Sequence, residues 1–287
     1  MRPDPVAASE TIDWNEIWKQ RQTLQDSSRH FDDPSHNWNK RENAERYDCN
    51  SQSKYDSRVS ITIAGMELSR QSKVLDIGAG PGTLAIPLSP LVKEITAIEP
   101  GAGMAEVLMD RTRKNDLANI SCIQKQWEDI DSSRDLSGPY DIVIASLSLT
   151  MHDIRAALEK MDAVSSHYVY LYWFVDMPFW ERLSVDLWVP LFGHPYYAGP
   201  KTDCLWNVLY QMGIYANVEI LPLTKEYRFS SHDELISFFR KRFNVTTQDQ
   251  ETILDRYIAP LVRQDGQEFV ISGDSHFARI WWDKQRP

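Results

Sequence analysis

Lys73-Val74-Leu75-Asp76-Ile77-Gly78-Ala79-Gly80-Pro81-Gly82-Thr83 decides how the chain is read. The first five residues have the texture of a buried strand, and they run straight into three alternating glycines. Glycine tolerates tight backbone turns and lets a ligand approach the main chain. A helix following such a loop presents unpaired N–H groups to an electron-rich ligand. The reading is therefore a strand–loop–helix unit that holds a small ligand at the carboxyl end of a sheet.

Working outward, the same alternation recurs. The apolar spacing predicts helices over 58–68, 83–92, 104–115 and 155–164. It predicts strands over 94–99, 120–123, 140–146 and 168–175. Strands alternating with helices of about ten residues imply a parallel sheet covered on two faces. Toward the N-terminus, Asp13 reads as a helix cap with Glu16 three residues on. Residues 31–39 read as a loop, and 39–47 as another helix. Beyond Asp176 the alternation stops and residues 176–204 are dense in Trp, Tyr, Phe, Pro and Gly. Residues 206–212 read as a helix, 218–223 and 227–229 as extended, 231–262 as mostly helical, and 277–282 as a last strand. The expected architecture is α/β, doubly wound and Rossmann-like. Its seven-stranded sheet is mostly parallel, with the antiparallel last strand lying between the fifth strand and the 218–229 element. The expected organisation is a helical arm or lid over 1–58, a ligand-binding core over 59–175, an aromatic cap over 176–215, and a completion of the sheet over 216–287 with a helical insert at 231–264.

Composition narrows the partners. The chain has 287 residues and a formal net charge of −10, which disfavours duplex nucleic acid, whose binding depends on Lys and Arg neutralising phosphates. The three cysteines are scattered, with no CxxC pair, so neither a metal knuckle nor a disulfide framework is suggested. The N-terminal residues lack an apolar signal core, and no run is long enough to span a bilayer. A soluble cytoplasmic protein without membrane attachment is expected, and no metal site.

Three details select the ligand. The glycines are spaced G-x-G-x-G, not the G-x-G-x-x-G of a dinucleotide loop. Asp76, two residues before the first glycine, suits a ligand bearing an ammonium and a sulfonium and would repel a pyrophosphate. Glu99 closes the second strand, where a carboxylate accepts from both hydroxyls of a ribose. These features point to S-adenosyl-L-methionine. The segments 74–83, 95–100, 123–130 and 140–152 resemble the first four motifs of class I S-adenosylmethionine-dependent methyltransferases, a likeness covering roughly residues 60 to 175.

The resemblance implies roles. Asp76, Gly78, Ala79, Gly80, Gly82 and Thr83 would line the amino acid moiety of the cofactor. Glu99 would bind the ribose, and Pro100 and Met104 would flank the adenosine. Family members often place an Asp where this chain has Gln126, whose side-chain oxygen still accepts from an adenine amine. The backbone N–H of Trp127 would reach the ring, unless Trp127 is a packing residue. Ser146 and Leu147 would approach the methionine portion. Trp38, Tyr47 and Arg58 of the arm are further candidates, with surface charge pairing as the plain alternative for Arg58.

The segment Ser146 to Asp153 lacks the D/N-P-P-aromatic motif of exocyclic-amine methylation on nucleic acid bases. No Pro-Cys pair and no CxxxCxxC occur either. A small-molecule acceptor is expected, methylated on O, N or S. A protein side-chain methyltransferase, a non-catalytic cofactor-binding partner protein and a nicotinamide dehydrogenase are the competing readings. His152 is the candidate general base, with stabilisation of the next helix as its structural alternative. His194 lies in the cap. The aromatics Tyr172, Trp173, Phe174, Phe179, Trp180, Trp188, Tyr196 and Tyr197 would either wall an acceptor pocket or form the cap's own core.

Overall fold

The computed structural model describes residues 12–28, 38–51 and 58–285. Most of the expected loop over 31–39 lies outside the described residues, as does the N-terminal decapeptide.

The chain opens with α1 (Trp14–Ser28), whose start is held as expected: Asp13 Oδ1 accepts from the N–H groups of Asn15 (2.9 Å) and Glu16 (3.3 Å). Then come α2 (Arg41–Ser51) and α3 (Arg58–Ala64), followed by β1 (Lys73–Ile77). The helix expected over 83–92 is only α4 (Ala85–Leu88) with a 3-10 turn at Ser89–Leu91. Pro87 and Pro90 remove two donors there, which shortens it. The unit continues with β2 (Glu94–Ile98), α5 (Ala102–Lys114), β3 (Ile120–Ile123), β4 (Tyr140–Ser146), α6 (Ile154–Val164) and β5 (Ser165–Phe174). The aromatic stretch folds as α7 (Phe179–Phe192) and α8 (Thr202–Gln211).

The two extended pieces merge into β6 (Asn217–Phe229). The helical insert is two helices, α9 (His232–Arg242) and α10 (Gln248–Ile258). They are separated by Asn244 at positive φ, and a capping box joining Thr247 and Gln250 starts the second. A short β7 (Arg263–Asp265), not foreseen from the sequence, precedes β8 (Glu268–Asp283), which begins nine residues before the expected last strand. The extension follows from pairing: β8 matches β6 residue for residue from Trp281 back to Phe269.

The sheet runs β3-β2-β1-β4-β5-β8-β6, with β7 paired to β8. The first five strands are parallel and β8 is antiparallel to both neighbours. The expected α/β topology is therefore present, including the insertion of the last strand between β5 and β6.

Parallel strands buried on two faces need apolar residues in each register, and Val74, Leu75, Ile142, Val143 and Ile144 are all under 2% exposed. One face packs against α1, α6 and α8, and the other against α3, α4 and α5. A third apolar cluster is separate. Leu183, Leu187, Trp188, Phe239, Phe243, Leu254 and Ile271 join α7, α9 and α10 to the outer ends of β6 and β8. This cluster stands beyond the end of β5, on the side of the sheet where parallel strands deliver ligand-binding loops.

α1 is tied in by specific bonds. The Trp18 Nε1–H donates to Met151 O at 2.8 Å, and Trp188 Nε1–H donates to Ser28 O at 2.8 Å. Glu181, nearly buried, accepts from Gln25 Nε2 (2.7 Å) and Gly199 N (3.1 Å) and pairs with Lys201 at 2.8 Å. Among the described residues no helix is long and apolar enough to cross a membrane.

Candidate functional site

The loop after β1 takes its shape from three glycines at positive φ, Gly78 (+70°), Gly80 (+57°) and Gly82 (+83°). Each serves a different end. A Cβ on Gly78 would lie 2.3 Å from Ser148 Cβ, because Ser148 leans in to donate to Ile77 O at 2.6 Å. A Cβ on Gly82 would lie 2.5 Å from Leu108 Cδ1, so this glycine lets α5 pack against the loop. A Cβ on Gly80 would meet nothing within 4 Å. That backbone faces open space, the kind of cradle a ligand fills. A Gly78→Ala protein is expected to lose about 1–3 kcal/mol of stability, from strain plus the clash. Thermal unfolding would record it, and Ser148→Gly in the same chain should restore part of the loss.

Asp76 sits on β1 just before the loop, 2% exposed. Its Oδ2 is buried with no hydrogen-bond partner among the described residues. Burial, helped by the nearby Glu99 carboxylate and opposed by the Arg58 guanidinium, pushes its carboxyl up to about 7. A buried carboxylate with an orphaned oxygen is costly on its own, and a cationic ligand group would relieve it.

Glu99, 6% exposed, closes β2. Its Oε2 accepts from Gly80 N and its Oε1 from Gly101 N, each at 2.8 Å. Burial raises its pKa, and the two N–H groups counter that. Each oxygen has a second lone pair for a further donor. Arg58, a candidate of the arm with surface pairing as its alternative, is 7% exposed, and its Nη1 donates to Ser146 Oγ at 3.3 Å. Its burial removes the surface-pairing alternative: α3 lays the guanidinium beside Asp76 and the end of β4.

The arm reaches the far side of the loop. Trp38 and Tyr47 meet edge to face at 5.5 Å and pack with Ala44, Met104 and Val107. Asn39 Oδ1 accepts from Ala102 N at 3.0 Å, capping α5 from outside. A Cβ on Gly101 would lie 3.0 Å from Trp38 Cβ, so the arm closes directly on the start of that helix. Arg111, which the sequence reading passed over, bridges the two: its Nη1 lies 2.5 Å from Asp48 Oδ1 and 2.9 Å from Pro81 O.

Other expected residues take different places. Thr83 Oγ1 is buried without a partner among the described residues. Leu147 follows β4 at φ +56°, and its N–H is held by Tyr172 O at 2.9 Å. Pro100 and Gln126 are exposed. Trp127 is 2% exposed, with Nε1–H donating to Ala157 O at 3.2 Å, so its ring belongs to the core. His152 points outward, its Nε2 3.2 Å from Asp26 Oδ2. His194 Nδ1 lies 3.3 Å from Pro195 O, its ring 6.5 Å from Phe192. Of the aromatics, Tyr172, Trp173, Phe179 and Trp188 are core residues, with the Tyr172 hydroxyl donating to Thr62 O and Trp173 Nε1–H to Pro200 O. Phe174, Trp180, Tyr196 and Tyr197 keep partial or full exposure. Among the described residues no group of three His, Cys, Asp or Glu side chains is placed to hold a metal.

This fold and loop have known counterparts. Residues 74–167, which run from β1 into β5, match the family described as a methyltransferase domain. Residues 74–167 form a methyltransferase domain of the class I, S-adenosylmethionine-dependent type. This methyltransferase is 25% identical to an uncharacterized protein of Haemophilus influenzae over 225 residues, 78% of this chain and 81% of that one. It is 32% identical to ribosomal RNA small subunit methyltransferase A of Desulforapulum autotrophicum, over 91 residues only, 32% of this chain and 31% of that one. A structure of a methyltransferase candidate from Bacillus halodurans superposes with a TM-score of 0.55 at 16% identity, spanning 79% of the methyltransferase and 99% of that chain. That likeness is one of fold.

Proposed function

We propose that this methyltransferase moves a methyl group from S-adenosylmethionine to a nucleophilic O, N or S atom of a small-molecule acceptor. The observation that carries the cofactor part is the buried, unpartnered Oδ2 of Asp76 beside the open backbone of Gly80. The donor set suits each part of that molecule. Asp76 would hold the ammonium. Arg58, with Ser146, would meet the carboxylate, and the backbone around Ala79, Gly82, Thr83 and Leu147 would line the same end. Glu99 would accept from the ribose hydroxyls through the lone pairs its two N–H partners leave. The Trp38, Tyr47 and Met104 cluster would flank the adenine, with Pro100 at its margin. Gln126 and the backbone N–H of Trp127 would meet the polar edge of the ring. When bound, the cofactor supplies a methyl group on a positively charged sulfur. The protein's own contribution is to fix both reactants in line, which is worth up to ~7–11 kcal/mol in favourable cases.

The small-molecule reading is supported by the net charge of −10 and the absence of a D/N-P-P-aromatic motif after β4. The third apolar cluster adds a wall beyond the strand ends, where an enclosed acceptor would sit. The ribosomal RNA methyltransferase shares less than a third of its length with this chain, so its substrate carries no weight here. His152 is retained as a candidate base on sequence grounds, although Asp26 already occupies its Nε2.

Calorimetric titration tests the cofactor reading. S-adenosylhomocysteine is expected to bind with micromolar affinity and NADH to give no heat of binding. The opposite pattern would return the chain to the dehydrogenase reading. Label from methyl-labelled S-adenosylmethionine should pass to the low-molecular-weight fraction of a cell extract. Label found only in macromolecules overturns the small-molecule acceptor.

A further inference from the structure

Two neighbouring residues of the glycine loop are gripped from outside it. Gly80 N donates to Glu99 Oε2 at 2.8 Å, and Pro81 O accepts from Arg111 Nη1 at 2.9 Å. Both grips continue into the arm. Glu99 Oε1 accepts from Gly101 N at 2.8 Å, and a Cβ on Gly101 would stand 3.0 Å from Trp38 Cβ and 3.2 Å from Trp38 O. Arg111 Nη1 also lies 2.5 Å from Asp48 Oδ1. Trp38 stands just before α2 and Asp48 in its last turn. Two separate side chains, Glu99 and Arg111, therefore bridge adjacent loop residues to opposite ends of one arm segment, residues 38–48.

The seat of that segment is cut into α5. A Cβ on Gly103 would lie 2.7 Å from Lys40 C and 2.8 Å from both Arg41 N and Trp38 O. Gly101 has φ −72° and Gly103 lies inside α5, so their own backbone does not call for glycine. The close approach of the arm main chain does. Around this notch, Asn39 Oδ1 accepts from Ala102 N, Ala44 packs with Met104 and Val107, and Arg41 pairs with Asp110. The Arg111 and Asp48 side chains are only 16% and 13% exposed. An ion pair this far out of water is weakly screened by salt and depends on close geometry.

We propose that the arm segment 38–48 and the glycine loop form one coupled unit in which Arg111 is a positioning residue: it fixes the Pro81 carbonyl while Asp48 of the seated arm holds the guanidinium, so seating of the arm sets the affinity for the cofactor. The inference rests on the cofactor reading and adds a control on that site. Linkage makes the effect reciprocal. Whatever factor arm seating adds to cofactor affinity, bound cofactor adds to arm seating.

S-adenosylhomocysteine is the probe. Gly103→Ala puts a methyl group into the arm's seat and leaves the loop, Arg111 and Asp48 as they are. It also replaces a helical glycine by a better helix former, which guards the fold. Asp48→Ala removes the anchor of Arg111 and likewise favours the helix it stands on. Each should weaken S-adenosylhomocysteine by about tenfold in calorimetry, although neither is a cofactor-contacting residue. The double variant should also lose about tenfold, not about a hundredfold, because both changes act through one seating event. Arg111→Lys keeps the charge without the planar fork and should lose as much as Asp48→Ala. Amide hydrogen exchange over residues 38–48 should slow when S-adenosylhomocysteine is added to the parent and stay fast in Gly103→Ala. Parent-like affinity in the single variants, losses that multiply in the double variant, or an arm whose exchange ignores the ligand would each overturn the coupling and leave the cofactor reading intact. A parent protein that does not bind S-adenosylhomocysteine would instead remove the reading beneath it.

Discussion

An Asp76→Asn protein, ligand-free above pH 7, is expected to be more stable than the parent and to bind S-adenosylhomocysteine about 10- to 100-fold more weakly. The two effects have one cause. Asp76 is fully buried and its carboxyl is raised from 3.8 to about 7. The folded protein therefore holds this proton more tightly than the unfolded chain does. Stability from this group is intact below pH 4, declines as pH rises through the window between about 4 and 7, and is fully lost above it. A gap of about three pKa units corresponds to up to about 4 kcal/mol. An asparagine never ionises, so its protein should lack that decline and unfold several degrees higher at pH 8. A ligand ammonium reverses the balance, because a charge-assisted bond to the carboxylate is worth about 1.5–3 kcal/mol. Binding should also drive Asp76 to ionise, releasing up to about one proton per site near pH 6 and close to none near pH 8.5. Calorimetry in buffers of different ionisation enthalpy measures that release. A parent and variant with superimposable stability–pH curves would remove Asp76 as a strained, ligand-directed carboxylate.

Trp18→Ala is expected to cost about 3–5 kcal/mol, the largest single loss of stability foreseen from the arm. Trp18 is fully buried, 6.0 Å from the Trp173 ring, and its N–H holds Met151 O. Met151 belongs to the segment that leaves β4 through Ser148, which packs on Gly78 of the glycine loop. Loss of the indole should therefore also loosen that segment and weaken S-adenosylhomocysteine binding several-fold. Trp18→Phe separates the two contributions. It keeps most of the packing and loses the bond, leaving Met151 O buried without a donor, at about 1–3 kcal/mol. Chemical denaturation of the three proteins should give that order. An alanine variant as stable as the parent would mean that α1 is not part of the cooperative unit.

How far the site was legible depends on the range of the interaction. The glycine loop, Asp76 at the end of β1 and Glu99 at the end of β2 follow from local patterns, a strand period broken by residues that reach positive φ. Arg58 stood between a cofactor contact and a surface residue, because a lone arginine in a polar stretch carries no local sign of burial. Its place beside Asp76 comes from α3 crossing the sheet. Tyr172 and Trp173 could be read as pocket wall or as core. Their polar atoms found carbonyl partners at Thr62 and Pro200, distant in sequence, and that settled them as core. Asp176 and His276 are a hundred residues apart, and only the antiparallel pairing of β5 with β8 brings His276 Nδ1 to 2.7 Å from Asp176 Oδ2.

The sequence by itself determined the order of strands and helices, the turn that receives the ligand and the carboxylates flanking it, because periodicity and backbone freedom are properties of neighbouring residues. The tertiary structure decided which charges are buried together, which aromatics are core and which stay partly exposed, and which histidines gain a carboxylate partner. Burial and pairing are set by segments far apart in the chain meeting in space, and no local pattern encodes where they meet.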